Sequence, residues 1–245
     1  MRTVLCLLIL SNACQATHPL VDVLKNSPEV VNVENPIDAP RCIIHIRDWH
    51  WVPYEYVAAE LPEDTPSEVL AATYVRHLNE VREIQDEQFT LLKRLIDRDV
   101  TTIYREGLTP DIQPVYRTLS QVLWKRHEQI PEVGDELFKR PNVLSLGVPG
   151  RLIAKGHLKT VHAADTDETL ALTDPLQNDG RLREVTQSDI EKREDHMVRQ
   201  MLKHQGHCLI ILGGAHDLTD NVKRLGNGNT GLIVVTTRAF RKHDE

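Results

Sequence analysis

The hydrophobic pattern of the chain makes one construction twice. CIIHI (42–46) and CLIIL (208–212) are continuous apolar runs of strand length, and each breaks off into a polar loop that carries a histidine, RDWH (47–50) and GGAH (213–216). Runs without alternation predict strands buried on both faces. Two further β-branched stretches, VTTIYREG (100–107, closed by Gly107) and TGLIVVTTRAF (230–240), predict two more strands. Between them the period changes to that of a helix. From Pro66-Ser67-Glu68 onward, Val69, Leu70, Thr73, Leu78, Val81, Ile84, Leu91, Leu92, Leu95 and Ile96 recur at helical spacing. Thr166 is placed to cap a helix whose first turn holds Glu168 and Thr169, and Ser188 to open SDIEKREDHMVRQMLKHQ with Glu191 in a capping box. DLTDNVKRL (217–225) reads as a short helix. The prolines of 17–41 and its weak periodicity predict an extended lead-in. Pro110, Pro114, Pro131 and Pro141 divide 110–142 into helical pieces, an insertion or cap, and the glycines of NVLSLGVPGRLIAKGHL (142–158) predict strand and turn.

Strands alternating with helices predict an α/β fold of three layers, a mainly parallel central sheet flanked by helices, with residues 42–245 as a single domain. In an open parallel sheet ligands bind in the crevice at the C-terminal strand ends. The loops leaving three of the strands therefore deliver Arg47, Asp48 and His50; Glu106; and His216 with Asp217 to one edge. Imidazoles and carboxylates in one cleft can ligate a divalent cation or trade protons as acid and base. Gly213 and Gly214 permit a tight turn and let backbone amides approach a bound oxyanion, and Asp217 suits a helix cap or a partner for His216. His45, inside a strand, fits a hydrogen-bonded core position better than a ligand. Trp49 and Trp51 suit either a covered sheet edge or a pocket wall.

Composition changes this picture little. A net charge of −7 without a long basic block argues against nucleic acid or an anionic membrane as partner, and 12 histidines is a high count for 245 residues. The start of the chain adds more. MRTVLCLLILSNACQATH has one Arg, an apolar run from Thr3 to Leu10 and then small residues, the layout of a secretory signal peptide over residues 1–16. The run is too short to span a bilayer. A secreted or periplasmic protein is expected, and a cut before Cys14 would make it a lipoprotein. Cys42 and Cys208 then remain, as a disulfide if their strands are neighbours or as two buried thiols.

LGGAH (212–216) resembles the second Gly-x-x-His motif of the ChaN/erythromycin-esterase-like and TIKI/TraB superfamily. IYREGL (103–108) is similar to that superfamily's strand ending in Glu. EKREDHMVRQML (191–202) resembles its helix with Arg followed four residues on by Met, and RDWH (47–50) stands in the place of the first Gly-x-x-His. Arg47 replaces the first motif's glycine, and a cation there fills part of the pocket or binds an anionic group. The resemblance implies a site built from His50, Glu106, Arg193 and His216. It also implies the expected function: an exported, metal-dependent hydrolase of peptide or ester bonds, with His50, Glu106 and His216 holding a divalent cation or directly activating water. Arg193 would stabilise negative charge or clamp a substrate carboxylate. Arg47, Asp48, Gly213, Gly214 and Asp217 would contact a small-molecule or peptide substrate. The ChaN branch implies the alternative, a non-enzymatic protein binding haem or another iron compound.

Overall fold

The computed structural model describes residues 18–130, 132, 136–137, 140–176 and 181–244, so the expected leader lies outside the described residues. A six-stranded sheet runs through the domain: β1 Val30–Ile37, β2 Arg41–Asp48, β3 Thr102–Arg105, β4 His162–Ala163, β5 Cys208–Gly213 and β6 Thr230–Thr237. The spatial order is β1-β6-β2-β5-β3-β4, antiparallel between β1 and β6 and parallel in every other pairing. Helices cover both faces, which gives the three-layer α/β fold.

Side-chain alternation along the strands sorts the core into two halves. Cys42, Ile44 and Ile46 of β2 face one side with Leu209 and Ile211 of β5. That side is covered by the helices α1 (Pro19–Lys25), α3 (Ser67–Ile96), α4 (Gln113–Gln129) and α6 (Gly147–Ala154), with short α2 (Tyr54–Glu60) and α5 (Pro141–Leu144) packed on α3. Ile43, Cys208, Ile210, Leu212, Leu232 and Val234 face the other side, against α8 (Gln187–Leu202) and α9 (Thr219–Leu225), with α7 (Asp167–Thr173) alongside α8. The last helix, α10 (Arg238–Asp244), returns Phe240 to a small cluster with Ile84 and Trp49.

Several elements differ from expectation. The lead-in holds structure: Pro19 occupies the first turn of α1, the ring of His18 accepts from Leu20 N, and Leu20, Val21 and Leu24 enter the core. Residues 30–37 form the antiparallel edge strand, and Pro36 is tolerated because an edge strand leaves part of its N–H row unpaired. NVLSLGVPGRLIAKGHL is helical over 141–144 and 147–154 instead of strand and turn. There Gly150 serves helix crossing, since a Cβ on it would lie 2.7 Å from the Tyr116 hydroxyl. Helix α8 starts two residues early, with Thr186 instead of Ser188 as cap, accepting from Asp189 N. Cys208 pairs with Ile43, one residue past Cys42, so the thiols project from opposite faces of the sheet and both are free. Helix α4 packs beside α6, and none of the described residues of 110–142 borders the cleft described next.

Candidate functional site

Strands β2, β5 and β3 are parallel neighbours, so their C-terminal ends open side by side. The centre of the edge is Glu106, immediately after β3. Its Oε2 lies 2.9 Å from His50 Nε2 and accepts from Gly213 N at 2.9 Å. Its Oε1 lies 3.0 Å from an Arg193 terminal nitrogen and 3.5 Å from His216 Nε2. Three segments distant in sequence therefore meet on the carboxylate of a fourth. Burial would raise the pKa of Glu106, but His50, His216 and Arg193 outweigh it and hold the group well below the usual carboxylate range.

The two histidines differ in setting. His50 is 43% exposed in its side chain, with Nδ1 3.8 Å from Asp48 Oδ2. Desolvation works against its proton, yet Glu106 and then Asp48 raise its pKa above the ordinary imidazole value. His216 is largely enclosed and bridged, with Nδ1 2.8 Å from Glu194 Oε1 and Nε2 toward Glu106. Burial again opposes the proton, but hydrogen bonds to both carboxylates push its pKa up to about 9. Asp48 is held from behind by Gln88 Nε2 at 2.9 Å, and burial raises its pKa.

A cleft of about 620 Å³ exposes this group, walled by Trp49, Tyr56, Val57 and Phe240 and floored by His50, Glu106, Arg193 and His216. A smaller hollow of about 170 Å³ lies on the other side of His50, lined among others by Asp48, Trp51, Gln85, Arg105 and Glu106.

Other residues expected at the site have different placements. Arg193 is buried and tied to Asp165 by two bonds, 2.7 and 2.9 Å, as well as to Glu106, so it holds the carboxylate and is not free to clamp substrate. Arg47 follows the strand alternation to the opposite face from Asp48 and does not border the cleft, and neither does Asp217. Asp217 accepts from Thr219 N at the approach to α9. The glycine amides are already used, Gly213 N on Glu106 and Gly214 N on the Asp48 carbonyl, so neither is an open oxyanion donor. These glycines supply space instead. A Cβ on Gly213 would sit 2.4 Å from His50 Nε2, and one on Gly214 would sit 2.2 Å from the Phe240 ring. Gly213→Ala is expected to push the His50 ring off Glu106 and cost about 10–100-fold in any His50-dependent turnover. Thermal unfolding should shift little, because His50 can swing outward; unchanged turnover would show that this pairing is not needed. His45 is a core residue: buried, bonded to the Leu212 carbonyl, with its pKa lowered to about 4 by burial.

Glu194, Asp165 and Gln88 complete the site without having been expected from sequence. Glu194 left a signal, since it shares the apolar stripe of α8 with Met197, Val198 and Met201. Gln88 likewise sits in the buried stripe of α3. Asp165, just past the two-residue β4, left none; its side chain accepts from Gly107 N as well as Arg193.

The donors do not suit a resident ion as they are placed. Ligands of one ion bind at roughly 2.0–2.2 Å and so lie within about 4.4 Å of each other. Among the described residues His50, Glu106 and His216 do not form such a trio, and Arg193 already neutralises Glu106. A looser trio among the described residues, His18, Cys42 and His207, has its donor atoms within 4.8 Å of one another but lies away from the cleft. There both imidazoles accept backbone N–H bonds at Nδ1, from Leu20 and Cys42, which leaves the proton on Nε2. A ligating histidine has the reverse pattern, donating through its second nitrogen.

Comparison of the chain with family models, with curated proteins and with solved structures found no match. No helix among the described residues is long and apolar enough to cross a membrane.

Proposed function

We propose that the protein is an exported hydrolase of ester or peptide bonds that activates water with side chains alone. The observation that carries this is the Glu106 carboxylate bridging two histidines in different settings. The ionised Glu106 accepts a hydrogen bond from His50 Nε2–H, which leaves Nδ1 as a base aimed away from that carboxylate and steadied, once protonated, by Asp48. His216, with its pKa near 9, keeps its proton at neutral pH and serves as the acid.

The steps balance without a further reagent. Water loses a proton to His50 Nδ1 as its oxygen bonds to the substrate carbonyl carbon. His216 Nε2–H, held only at 3.5 Å by Glu106, turns from that carboxylate to the developing oxyanion, and its proton then passes to the departing alcohol or amine as the bond from carbon breaks. Solvent returns the proton from His50 to His216. The 170 Å³ hollow beside His50 has room for the water, each molecule of which takes about 30 Å³. Arg193, fixed by Asp165, keeps Glu106 ionised, and Glu194 fixes the orientation of His216.

The resemblance to the Gly-x-x-His superfamily supports the same residues, and its esterase branch the same reaction class. A panel of chromogenic esters and peptide amides, assayed after exhaustive chelation, tests the reading. Wild-type protein should turn over at least one class, and His50→Asn should lower the rate by about 10²–10⁴-fold with an unchanged circular-dichroism spectrum. Turnover that vanishes on chelation and returns with a divalent ion would overturn it.

A further inference from the structure

Helix α4 carries a second apolar face that the fold leaves open. Tyr116 and Ser120 are buried toward α6, whereas Ile112, just before the helix, and Val115, Leu119 and Val122 are 48–58% exposed. Their spacing of three, four and three residues is a coiled-coil seam, narrow where a lipid-facing helix would show a broad apolar face. Most of the large apolar side chains elsewhere on the surface are scattered along other elements, so this concentration is specific to one helix.

We propose that α4 pairs with α4 of a second copy of the chain, antiparallel, in a two-fold symmetric dimer. Set antiparallel, the seam is complementary to itself: Ile112 of one copy meets Val122 of the other, and Val115 meets Leu119, with each layer repeated by symmetry. The charges follow the same register. Asp111, at the start of the seam, comes beside Lys125 and Arg126 at the end of the other copy's helix. All three are exposed, and none has an ion pair within its own chain among the described residues. A parallel pairing would instead set Lys125 and Arg126 against their own copies. The antiparallel pairing also brings these cations to the partner helix's N-terminal acid rather than to its own C-terminal end. Four small layers form a modest interface beside the ~1,600 Å² of a standard one, so a reversible, concentration-dependent dimer is expected. The cleft faces elsewhere and stays open in the pair, because α4 does not border it.

Light scattering and sedimentation of the processed full chain over a concentration series test this. Wild-type protein should move from monomer toward dimer as concentration rises. Leu119→Glu should remove the dimer with an unchanged circular-dichroism spectrum. Asp111→Lys should weaken association at least tenfold, and adding Lys125→Asp and Arg126→Asp to it should restore association. Wild-type protein that stays monomeric to its solubility limit would overturn the proposal. So would a dimer indifferent to Leu119→Glu, or binding of monomers to anionic lipid vesicles that Leu119→Glu abolishes.

Discussion

Glu106→Gln is expected to abolish turnover, with a loss of about 10²–10⁴-fold, while the fold is kept. The amide matches the carboxylate in shape but brings no charge to the point where His50, His216, Arg193 and Gly213 N meet. Both histidines then lose one of the two carboxylates that raise their pKa, and His50 loses the group that fixes its tautomer. Arg193 keeps Asp165, so its burial stays compensated. Two measurements separate catalysis from structure: turnover of the ester and peptide panel, and the pH titration of the two imidazoles by NMR. Full activity with unmoved titrations would show that the carboxylate is not the hub of the site.

The second large effect is on pH. Activity should follow a bell, rising as His50 deprotonates above its raised pKa and falling as His216 loses its proton near pH 9. His216→Gln should flatten the alkaline limb. Stability follows the same proton. His216 binds it more tightly in the folded chain than at its ordinary 6.5, so its contribution is complete below pH 6.5 and is lost as pH rises through about 9. The size is on the order of 3 kcal/mol. Glu106, whose folded value is depressed, contributes in the opposite sense: fully above the ordinary carboxylate range, and lost as pH falls through its folded value. Urea unfolding at pH 6 and pH 9.5 should therefore show wild-type protein losing more stability than His216→Gln at the higher pH. Equal losses would place the His216 proton outside the folded-state balance.

The strand ends were readable because an unbroken apolar run followed by polar residues has few other solutions, and a parallel sheet leaves its loops on one edge. That brought His50, Glu106 and His216 together on paper as they stand in the structure. What alternation alone could not give was the count of residues between strands. The shift by one that pairs Ile43 with Cys208 decides that the two thiols look away from each other, and it is set by packing across the whole sheet. The lead-in was read as extended because of its prolines and weak periodicity. Yet Leu20, Val21 and Leu24 need only one turn and a half of helix to reach the core, and a cap at His18 is enough to form it. Gly213 and Gly214 were read as amide donors, but a sequence does not show how close a ring will come, and closeness is what requires them. Glu194 shares the apolar stripe of α8, where a buried carboxylate needs a partner, and His216 is that partner.

The groups around Glu106 come from the exits of β2, β3, β4 and β5 and from α8, elements laid down across more than half of the polypeptide. No fragment and no half-folded intermediate can own a working set of them, because each strand must be docked before its residue arrives. A chain threaded across a membrane unfolded would thus stay inert during passage and switch on only when the sheet closes on the far side.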